Sequence, residues 1–403
     1  MEIIDDLERT ELDLPVEPMF INVGPSHPCT HGTIHMELYL DGETIKQVEI
    51  RPGYLHRGFE KSCERGTWQQ AFPYVDRLNY CSPMINDVGY ALAVEKLLGV
   101  EVPERCQVYR VVLSELARIT DHMICNAAVA MEQGAMTPFF WLIKGREVIW
   151  DILEQETGAR MMHSYARIGG MAEPPTAEFK QSVREVLPTV QKIVADTEKL
   201  LVRNRIFIER NQNVGVISRE LALGYGVTGP VLRSTGVDYD VRKAAPYSGY
   251  ETYDFEVPVG HDGDNMDRFL VRMEEIRQSI RIIEQALERL SDEGPVSVDD
   301  PRVILPAKEE VYATIEGTIA HFKLIMEGLK PPPGAVYQAV EGGNGELGFY
   351  IVSDGSGTPY RVRCRPPCFY NLKAAEEMLR GQTVADIIAT FGSINMVGGE
   401  CDR

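Results

Sequence analysis

The chain has 403 residues and a formal net charge of −19, with 41 Lys and Arg against 60 Asp and Glu. Hydrophobic residues make up 44% of it, enough for a sizeable core. The acidic balance argues against binding to nucleic acid, or unaided to an anionic membrane surface, because both depend on Lys and Arg.

Targeting patterns and cysteines indicate where such a chain works. Residues 1–18 are acidic and lack the basic-then-apolar pattern of a secretory signal. No run of about 18 apolar residues predicts a transmembrane helix. The eight cysteines form no C-x-x-C pair, so we expect free thiols in a reducing cytosol. If the protein works at a membrane, we expect partner chains to hold it there.

The first elements of the chain alternate apolar and polar residues, which predicts β-strands over residues 19–23, 33–40 and 44–51. Asp41-Gly42 between the last two strands is a strong hairpin signal. The loop 24–32, with the sequence GPSHPCTHG, precedes this hairpin.

Helical periodicity dominates the centre of the chain. The predicted helices span residues 86–98, 103–133, 137–156, 176–204 and 264–290. Gly99 closes the first helix, and Thr137 is expected to cap the third, with Pro138 in its first turn. Residues 205–263 are rich in Gly, Tyr and Pro and are predicted to be irregular.

Near the C-terminus the period returns to two. Strands are predicted over residues 335–340, 347–353 and 360–364, and a helix over 372–390. We therefore predict an α+β fold, a central helical bundle with antiparallel β-structure from both chain ends. Residues 1–18 form an N-terminal extension in this prediction, and residues 19–403 a single domain. That domain is divided into an N-terminal β region (19–82), a helical body (83–330) and a C-terminal β region with the tail (331–403).

Three groups of polar residues stand out as candidate sites. His27 and His31 lie in a loop whose prolines exclude an α-helix; either an exchangeable ligand or a structural hydrogen bond explains them. The segment PYVDRLNY, residues 73–80, combines two tyrosines with an Asp and an Arg, and a surface loop with ion pairs is the alternative. No phosphate-binding glycine loop precedes a helix, so nucleotide binding by this chain is not expected.

The third group lies on the long helix 103–133. Glu115, Arg118 and His122 share one stripe at a spacing that lets them meet, and Asp121 with Glu132 lies on a neighbouring one. A solvated face or a structural ion pair is the ordinary explanation of such a stripe.

These segments, in this order, resemble one family. GPSHPCTHG, LHRGFEK, PYVDRLNY, GAMTPFFW, GVTGPVLRSTGVDYDVRKAAPY and VSDGSGTPYRVRCRPPCF resemble the 49 kDa, or D-type, subunit of respiratory complex I, a proton-translocating NADH:quinone oxidoreductase. The resemblance extends from about Asn22 to Arg403.

That family is similar in turn to the large subunit of [NiFe] hydrogenases, whose two C-x-x-C pairs hold nickel and iron. Here Asn79 and Ser82 take the places of the first pair, and Val397 and Glu400 those of the second. Without four thiolates the position should not hold nickel, so we expect this chain to bind no metal of its own.

The resemblance implies a quinone site. His31 and Tyr80 correspond to the pair that hydrogen-bonds the two carbonyl oxygens of the quinone head group, where donors stabilise the charge that develops on reduction. Val397 would line the same cavity. Glu132 would be the carboxylate partner of the histidine, at a position where relatives usually carry Asp.

The resemblance also implies electron transfer from a neighbouring chain. Arg57 and Arg77 correspond to arginines beside the terminal [4Fe–4S] cluster that a partner subunit binds, and Arg57 is methylated in some relatives. Relatives commonly carry His near that cluster where this chain has Met162, with His163 next to it. Since Met does not titrate, we expect reduction of the cluster to be less coupled to pH here.

The function expected from the resemblance is a quinone-site-forming core subunit of the peripheral arm, on the cytoplasmic side of the bacterial inner membrane. FMN and the iron–sulfur clusters would belong to partner chains, which include a cluster-bearing subunit, the C-type subunit and membrane-arm subunits. The alternatives are the same subunit in a ferredoxin-fed enzyme, a membrane-bound [NiFe] hydrogenase large subunit, which the missing cysteines disfavour, and a purely structural scaffold.

Overall fold

The computed structural model describes residues 19–403, so the predicted extension 1–18 lies outside the described residues. Within that range the strands form three antiparallel sheets in which the strand order follows the chain. The sheets contain β1 (Met19–Val23), β2 (His35–Asp41) and β3 (Thr44–Arg51); β4 (Ala166–Arg167) and β5 (Gly170–Met171); and β6 (Gly334–Gly342), β7 (Gly345–Ser353) and β8 (Arg361–Arg365). Asp41 pairs with Thr44, which confirms the predicted hairpin.

Helices occupy the centre of the chain and its end. They are α1 (Phe59–Arg65), α2 (Phe72–Val75), α3 (Pro83–Leu98), α4 (Glu104–Glu132), α5 (Met136–Thr157), α6 (Phe179–Leu201), α7 (Arg205–Asn211), α8 (Arg219–Gly224), α9 (Pro230–Arg233), α10 (Val241–Ala244), α11 (Asn265–Arg289), α12 (Lys308–Ala313), α13 (Ile315–Met326), α14 (Pro367–Leu379), α15 (Asp386–Ser393) and α16 (Gly398–Asp402). The α+β prediction is confirmed, and the division of residues 19–403 into three regions stays a prediction.

Some boundaries and elements differ from the prediction. The third predicted helix has Ala135, not Thr137, as its N-cap, and Pro138 sits within the first turn, where the N–H groups have no intrahelical partner in any case. The predicted helix 372–390 is wrong as one element. It is divided into α14 and α15, because Gly381 adopts a left-handed φ of 79° and donates its N–H to Ile45 of β3.

The sequence patterns also missed several short helices. The region 205–263, predicted to be irregular, contains α7 to α10, each of seven residues or fewer. Helices α1, α2, α12 and α13 were not predicted. An apolar stripe is hard to recognise over the one or two turns of α1, α2 and α12, and such short helices are stabilised by tertiary contacts. This reason does not apply to α13, which has 12 residues.

Two hydrophobic clusters fill the interior. The larger one is built on α3, α4 and α11, with side chains such as Leu116 and Ile276 fully buried. The second joins the first sheet to α14, α15 and the tail, and includes Met36, Phe391 and Val397. This second cluster brings the two ends of the described chain together, and the candidate site lies beside it.

Helix α13 leaves an apolar face uncovered in the isolated chain. Ile315 is 74% exposed and Phe322 60%, with Ile319 and Met326 on the same side, and Tyr312 on the preceding helix α12 is 89% exposed. Among the helices between residues 19 and 403, none combines the length and apolar composition needed to cross a bilayer.

Candidate functional site

The loop that carries His31 is held by its own hydrogen bonds. Pro28–Thr30 forms one 3-10 turn, a local exception to the expectation of a non-helical loop. The Thr30 hydroxyl donates to the backbone carbonyls of Pro25 (3.1 Å) and His27 (2.9 Å). The imidazole of His27 accepts the N–H of Cys29 at 3.2 Å, so this histidine has the structural role that was one of the two alternatives.

His31 ends the turn with a left-handed backbone (φ 52°) and contacts the end of α4. Its Nε2 lies 2.9 Å from Oε1 of Glu132, whose side chain is only 10% exposed. This hydrogen bond raises the pKa of His31 above its ordinary value, against the opposing effect of burial. The ring of Phe391 meets the imidazole edge-on, with 5.9 Å between ring centroids. The predicted His31–Glu132 pair is therefore present as a direct contact.

Glu132 is fixed from its other side by α15. Oε2 of Glu132 occupies the space next to Gly392 where a Cβ would lie, so the carboxylate packs directly against this backbone. Oε2 is buried and has no hydrogen-bond partner among residues 19–403. The carboxylate thus has one oxygen on His31 and one directed into the interior.

Tyr80 lies in the loop between α2 and α3, partly buried. Burial raises the pKa of Tyr80 to about 12, so its hydroxyl carries a proton at neutral pH. A Cβ added to Gly399 would lie 3.3 Å from the Tyr80 ring and would overlap with the Arg77 carbonyl oxygen. The absence of a side chain at Gly399 lets the C-terminal tail pack directly against this ring.

The tail is the element that Tyr80 and His31 share. The backbone of Met396 contributes to the raised pKa of His31, and the backbone of Gly398 acts on the pKa of Tyr80. Val397, between these two tail residues, is buried at 2% exposure in the second hydrophobic cluster.

Polar side chains fill the position where the resemblance to hydrogenases predicts a lost metal site. Asn79 Nδ2 and Ser82 Oγ both donate to Oδ2 of Asp121, each at 2.7 Å, and Asn395 Nδ2 donates to Oδ1 at 2.9 Å. Asn79 and Ser82 are thus occupied by hydrogen bonds that satisfy a buried carboxylate.

Glu400 is bound within the same region. Its Oε2 accepts hydrogen bonds from Cys368 Sγ (3.0 Å) and Asn344 Nδ2 (3.2 Å). Asn344 in turn accepts one from Asn395 at 2.6 Å. Burial raises the pKa of Glu400 to about 7, so this carboxyl group can gain or lose a proton near neutral pH.

Arg57 and Arg77 lie together on the surface. Arg57 Nη2 donates to the Arg77 carbonyl at 2.8 Å, and Arg77 Nη1 donates to the Pro73 carbonyl at 2.6 Å. Neither guanidinium pairs with a carboxylate in residues 19–403, and burial together with the charge of Arg77 lowers the pKa of Arg57. Two neighbouring cations without carboxylate partners form a surface that favours a negatively charged group.

A basic cleft of about 460 Å³ opens next to Arg57. Its lining includes Lys61, Arg361, Arg363 and Arg403. Glu60 and Asp402 also line the cleft, and Arg361 pairs with Glu60 at 3.2 Å, so part of its positive charge is compensated.

The stripe on α4 is buried, so its interpretation as a solvated face is wrong. Arg118 Nε donates to Oε2 of Glu115 at 3.1 Å, as an ion pair, and both side chains are fully buried. His122 does not meet them. Its Nε2 lies 2.7 Å from Oε2 of Glu275, so the imidazole faces α11 and not Arg118, the residue four positions earlier on its own helix.

The Glu115–Arg118 pair belongs to a larger buried network. Arg242 donates to Glu115 at 3.2 Å and pairs with Asp240 at 2.6 Å. Arg233 joins Glu275, through Nε at 2.8 Å, to Glu341, through Nη1 at 2.8 Å. All these side chains are at most 2% exposed, so each charge depends on its partners for solvation.

Met162 and His163 lie in the irregular segment between α5 and β4. Met162 has a left-handed φ of 56°. His163 is 8% exposed, and neither of its ring nitrogens has a partner in the described part of the chain. Burial lowers the pKa of His163, which favours the neutral ring at pH 7.

Residues that the sequence patterns did not single out complete the site. Cys368 and Asn344 donate hydrogen bonds to Glu400, Asn395 donates one to Asn344, and Phe391 packs on His31. Asn344 stands in a Gly-rich turn that was predicted only as a turn. No local pattern shows that the turn contacts the C-terminal tail. All eight cysteines are free and buried.

Comparison with known proteins identifies the class to which this chain belongs, a subunit of a multisubunit oxidoreductase. The family model described as "Respiratory-chain NADH dehydrogenase, 49 Kd subunit" matches residues 132–403. The chain belongs to this family, the D-type subunits of NADH-quinone oxidoreductase (complex I), as the sequence motifs predicted.

Several relatives match over nearly their whole length, and each is named as a D-type subunit of NADH-quinone oxidoreductase. The relative from Sorangium cellulosum is 62% identical, and the match covers 100% of both chains. The relative from Myxococcus xanthus is 50% identical over 98% of this chain and 95% of its own length. The relative from Pelobacter propionicus is 48% identical over 98% of each chain.

Proposed function

We propose that this chain forms the quinone-reducing site of the peripheral arm of complex I. In this proposal, His31 and Tyr80 donate hydrogen bonds to the two carbonyl oxygens of a quinone head group, and Val397 contributes apolar lining between them. The observation that carries the proposal is the His31–Glu132 contact of 2.9 Å next to the tail that also packs against Tyr80.

The chemistry of these residues supports quinone reduction. A quinone that takes up two electrons needs two protons, and hydrogen-bond donors placed at both oxygens stabilise the developing charge. Glu132 keeps His31 protonated to a higher pH than a free imidazole, so the ring can donate a proton. Tyr80 retains its hydroxyl proton until it is taken up by the substrate.

In the same proposal the electrons arrive at Arg57 and Arg77. These cations would face the terminal [4Fe–4S] cluster of a partner subunit and offset the negative charge added on its reduction. NADH and FMN would bind to other chains. This chain would sit on the cytoplasmic side of the inner membrane, held by the cluster-bearing subunit, the C-type subunit and membrane-arm subunits.

A photoreactive quinone analogue tests this proposal directly. In the assembled complex we expect it to label peptides that contain residues 31–33, 80 or 396–400, and excess quinone to compete with the labelling. Labelling confined to other subunits would contradict the assignment of the site to this chain.

Nickel analysis separates this function from that of a hydrogenase. We expect the purified complex to contain no stoichiometric nickel, because Asn79 and Ser82 are engaged with Asp121 and offer no thiolate. One nickel per chain would favour the hydrogenase alternative.

Glu132 determines the pH dependence of quinone reduction in this proposal. Because Glu132 raises the pKa of His31, the protonated imidazole is present below that pKa and is lost as the pH rises through it. In Glu132→Gln this pKa falls, so we expect the decline in activity on the alkaline side to begin at a lower pH. The measurement is the pH profile of quinone reduction by the assembled complex.

Glu132→Asp is the matched control for that profile. It keeps the carboxylate at a shorter reach, and we expect its alkaline decline to lie between those of the unmodified chain and Glu132→Gln. Identical profiles for all three would show that His31 does not supply the proton.

A further inference from the structure

The seam between α4 and α11 contains a row of buried polar side chains. Ser279 Oγ donates to Glu115 at 2.6 Å, and seven residues further along α4, His122 lies 2.7 Å from Glu275. The residue numbers rise along α4 while they fall along α11, so the two helices run antiparallel.

This register places Asn126 opposite Arg272. Asn126 lies one turn after His122 on α4, and Arg272 lies about one turn before Glu275 on α11, so each shares a helix face with its neighbour in the seam. Arg272 also acts on the pKa values of both His122 and Cys125, which is consistent with this level.

The polar atoms at this level lack partners among the described residues. They are both amide atoms of Asn126, Nε and Nη2 of Arg272, and Nδ1 of His122, and all three side chains are 0% exposed. Buried polar groups in native proteins are nearly always bonded to protein or to ordered water. Facing groups from two helices that do not bond each other therefore need a third group between them.

The last turn of α15 lies between these unpartnered groups and the candidate quinone site. Arg272 Nη1 donates to the Ser393 carbonyl at 2.6 Å, and Cys125 contacts the Gly392 carbonyl at 3.9 Å. The unpartnered Oε2 of Glu132 lies against the other side of Gly392. The carboxylate that binds His31 and the unpartnered end of the seam thus flank one backbone segment.

We propose that the α4–α11 seam binds a small cluster of ordered water molecules between Asn126, Arg272 and His122, and that this water passes protons between Glu132 and Nδ1 of His122. The evidence for the water site is the set of unpartnered atoms, and it is independent of the proposed function. The proton path depends on the proposed function as well. Each transfer is a proton hop, in which a water gives one proton and accepts another without electron movement.

The roles of the three side chains follow from their chemistry. Contacts with Arg233 and His122 lower the pKa of Glu275 despite its burial, so this carboxylate is ionised and can only accept hydrogen bonds. In the hydrogen bond between His122 and Glu275, the proton is therefore on Nε2 of His122. Its Nδ1 is then an open acceptor for a water proton. Arg272 does not release its proton and orients the water through two donors, while Asn126 offers one donor group and one acceptor.

Asn126→Leu is the test, because it replaces a polar side chain by an apolar one of similar size. If water bonds Asn126, the variant loses those bonds, and we expect the folded-to-unfolded ratio of the chain to fall roughly 5–30-fold. If no water bonds the amide, removing it stabilises the protein.

For the same variant we expect quinone reduction by the assembled complex to fall roughly tenfold or more, as loss of a proton-transfer group does. Asn126→Ser keeps a hydroxyl and leaves room for one more water, so it should restore most of both quantities.

An experimental density map of the complex gives the independent measurement. Ordered water between Asn126 and Arg272 supports the proposal; a map without it, or a more stable Asn126→Leu, overturns it. Normal quinone reduction in Asn126→Leu overturns the proton path. If Tyr80→Phe also leaves quinone reduction unchanged, the assignment of the quinone site to this chain is wrong. The density map and the stability measurement then still show whether water is bound in the seam.

Discussion

Replacing Tyr80 with Phe should lower quinone reduction by the assembled complex by roughly 10²- to 10⁴-fold, the range for loss of a proton donor at a reacting oxygen. The ring stays in place against Gly399, because Phe keeps the apolar body of the side chain. Only the hydroxyl proton, held by a pKa of about 12, is removed. Assembly of the complex and NADH oxidation with a soluble artificial acceptor should be unchanged.

Tyr74→Phe provides the matched control, since this tyrosine lies in the same segment but is 46% exposed. We expect it to retain full quinone reduction. Unchanged turnover in Tyr80→Phe would favour a purely structural scaffold, and equal losses in both variants would point to a general disturbance of residues 73–80.

Glu115→Gln should destabilise the chain by about 3–5 kcal/mol, the typical cost of removing one member of a buried charge network. Glu115 accepts hydrogen bonds from Arg118, Arg242, Tyr250 and Ser279 and is fully buried. These contacts keep the pKa of Glu115 far below its ordinary value, at about 2. A neutral Gln leaves two buried guanidinium groups next to each other without this counter-charge. Denaturant unfolding of the full chain measures the change.

Glu209→Gln is the control for the loss of a carboxylate. Glu209 forms an i, i+4 pair with Arg205 on α7, with side chains 62% and 89% exposed. Water solvates both charges, so we expect a change of about 0.5 kcal/mol or less. A similar loss in both variants would mean that burial does not determine the contribution of these ion pairs.

Long periodic elements were predictable from the sequence, and contacts between distant segments were not. The apolar repeat along α4 and the Asp264 cap of α11 act within a few residues, so their sequence patterns reveal them. The stripe of Glu115 and Arg118 has the same pattern whether it faces water or protein. Its burial depends on α10 and α11, which are far away in the chain.

The candidate site shows the same limit. The resemblance to a known family led to His31, Tyr80 and Glu132, and two of these meet in the structure. Cys368 and Asn344 carry no local signal, since one stands at the start of a helix and the other in a turn. They matter only because the tail brings Glu400 between them.

The uncovered face of α13 has a consequence for handling this chain outside its complex. Ile315 and Phe322 on this helix expose apolar surface, as does Tyr312 on α12, and exposed apolar surface promotes association in water. The net charge of −19 opposes aggregation, and added salt weakens that repulsion. A preparation without partner subunits should therefore scatter more light as the ionic strength rises, and charged substitutions on α13 should keep it monodisperse.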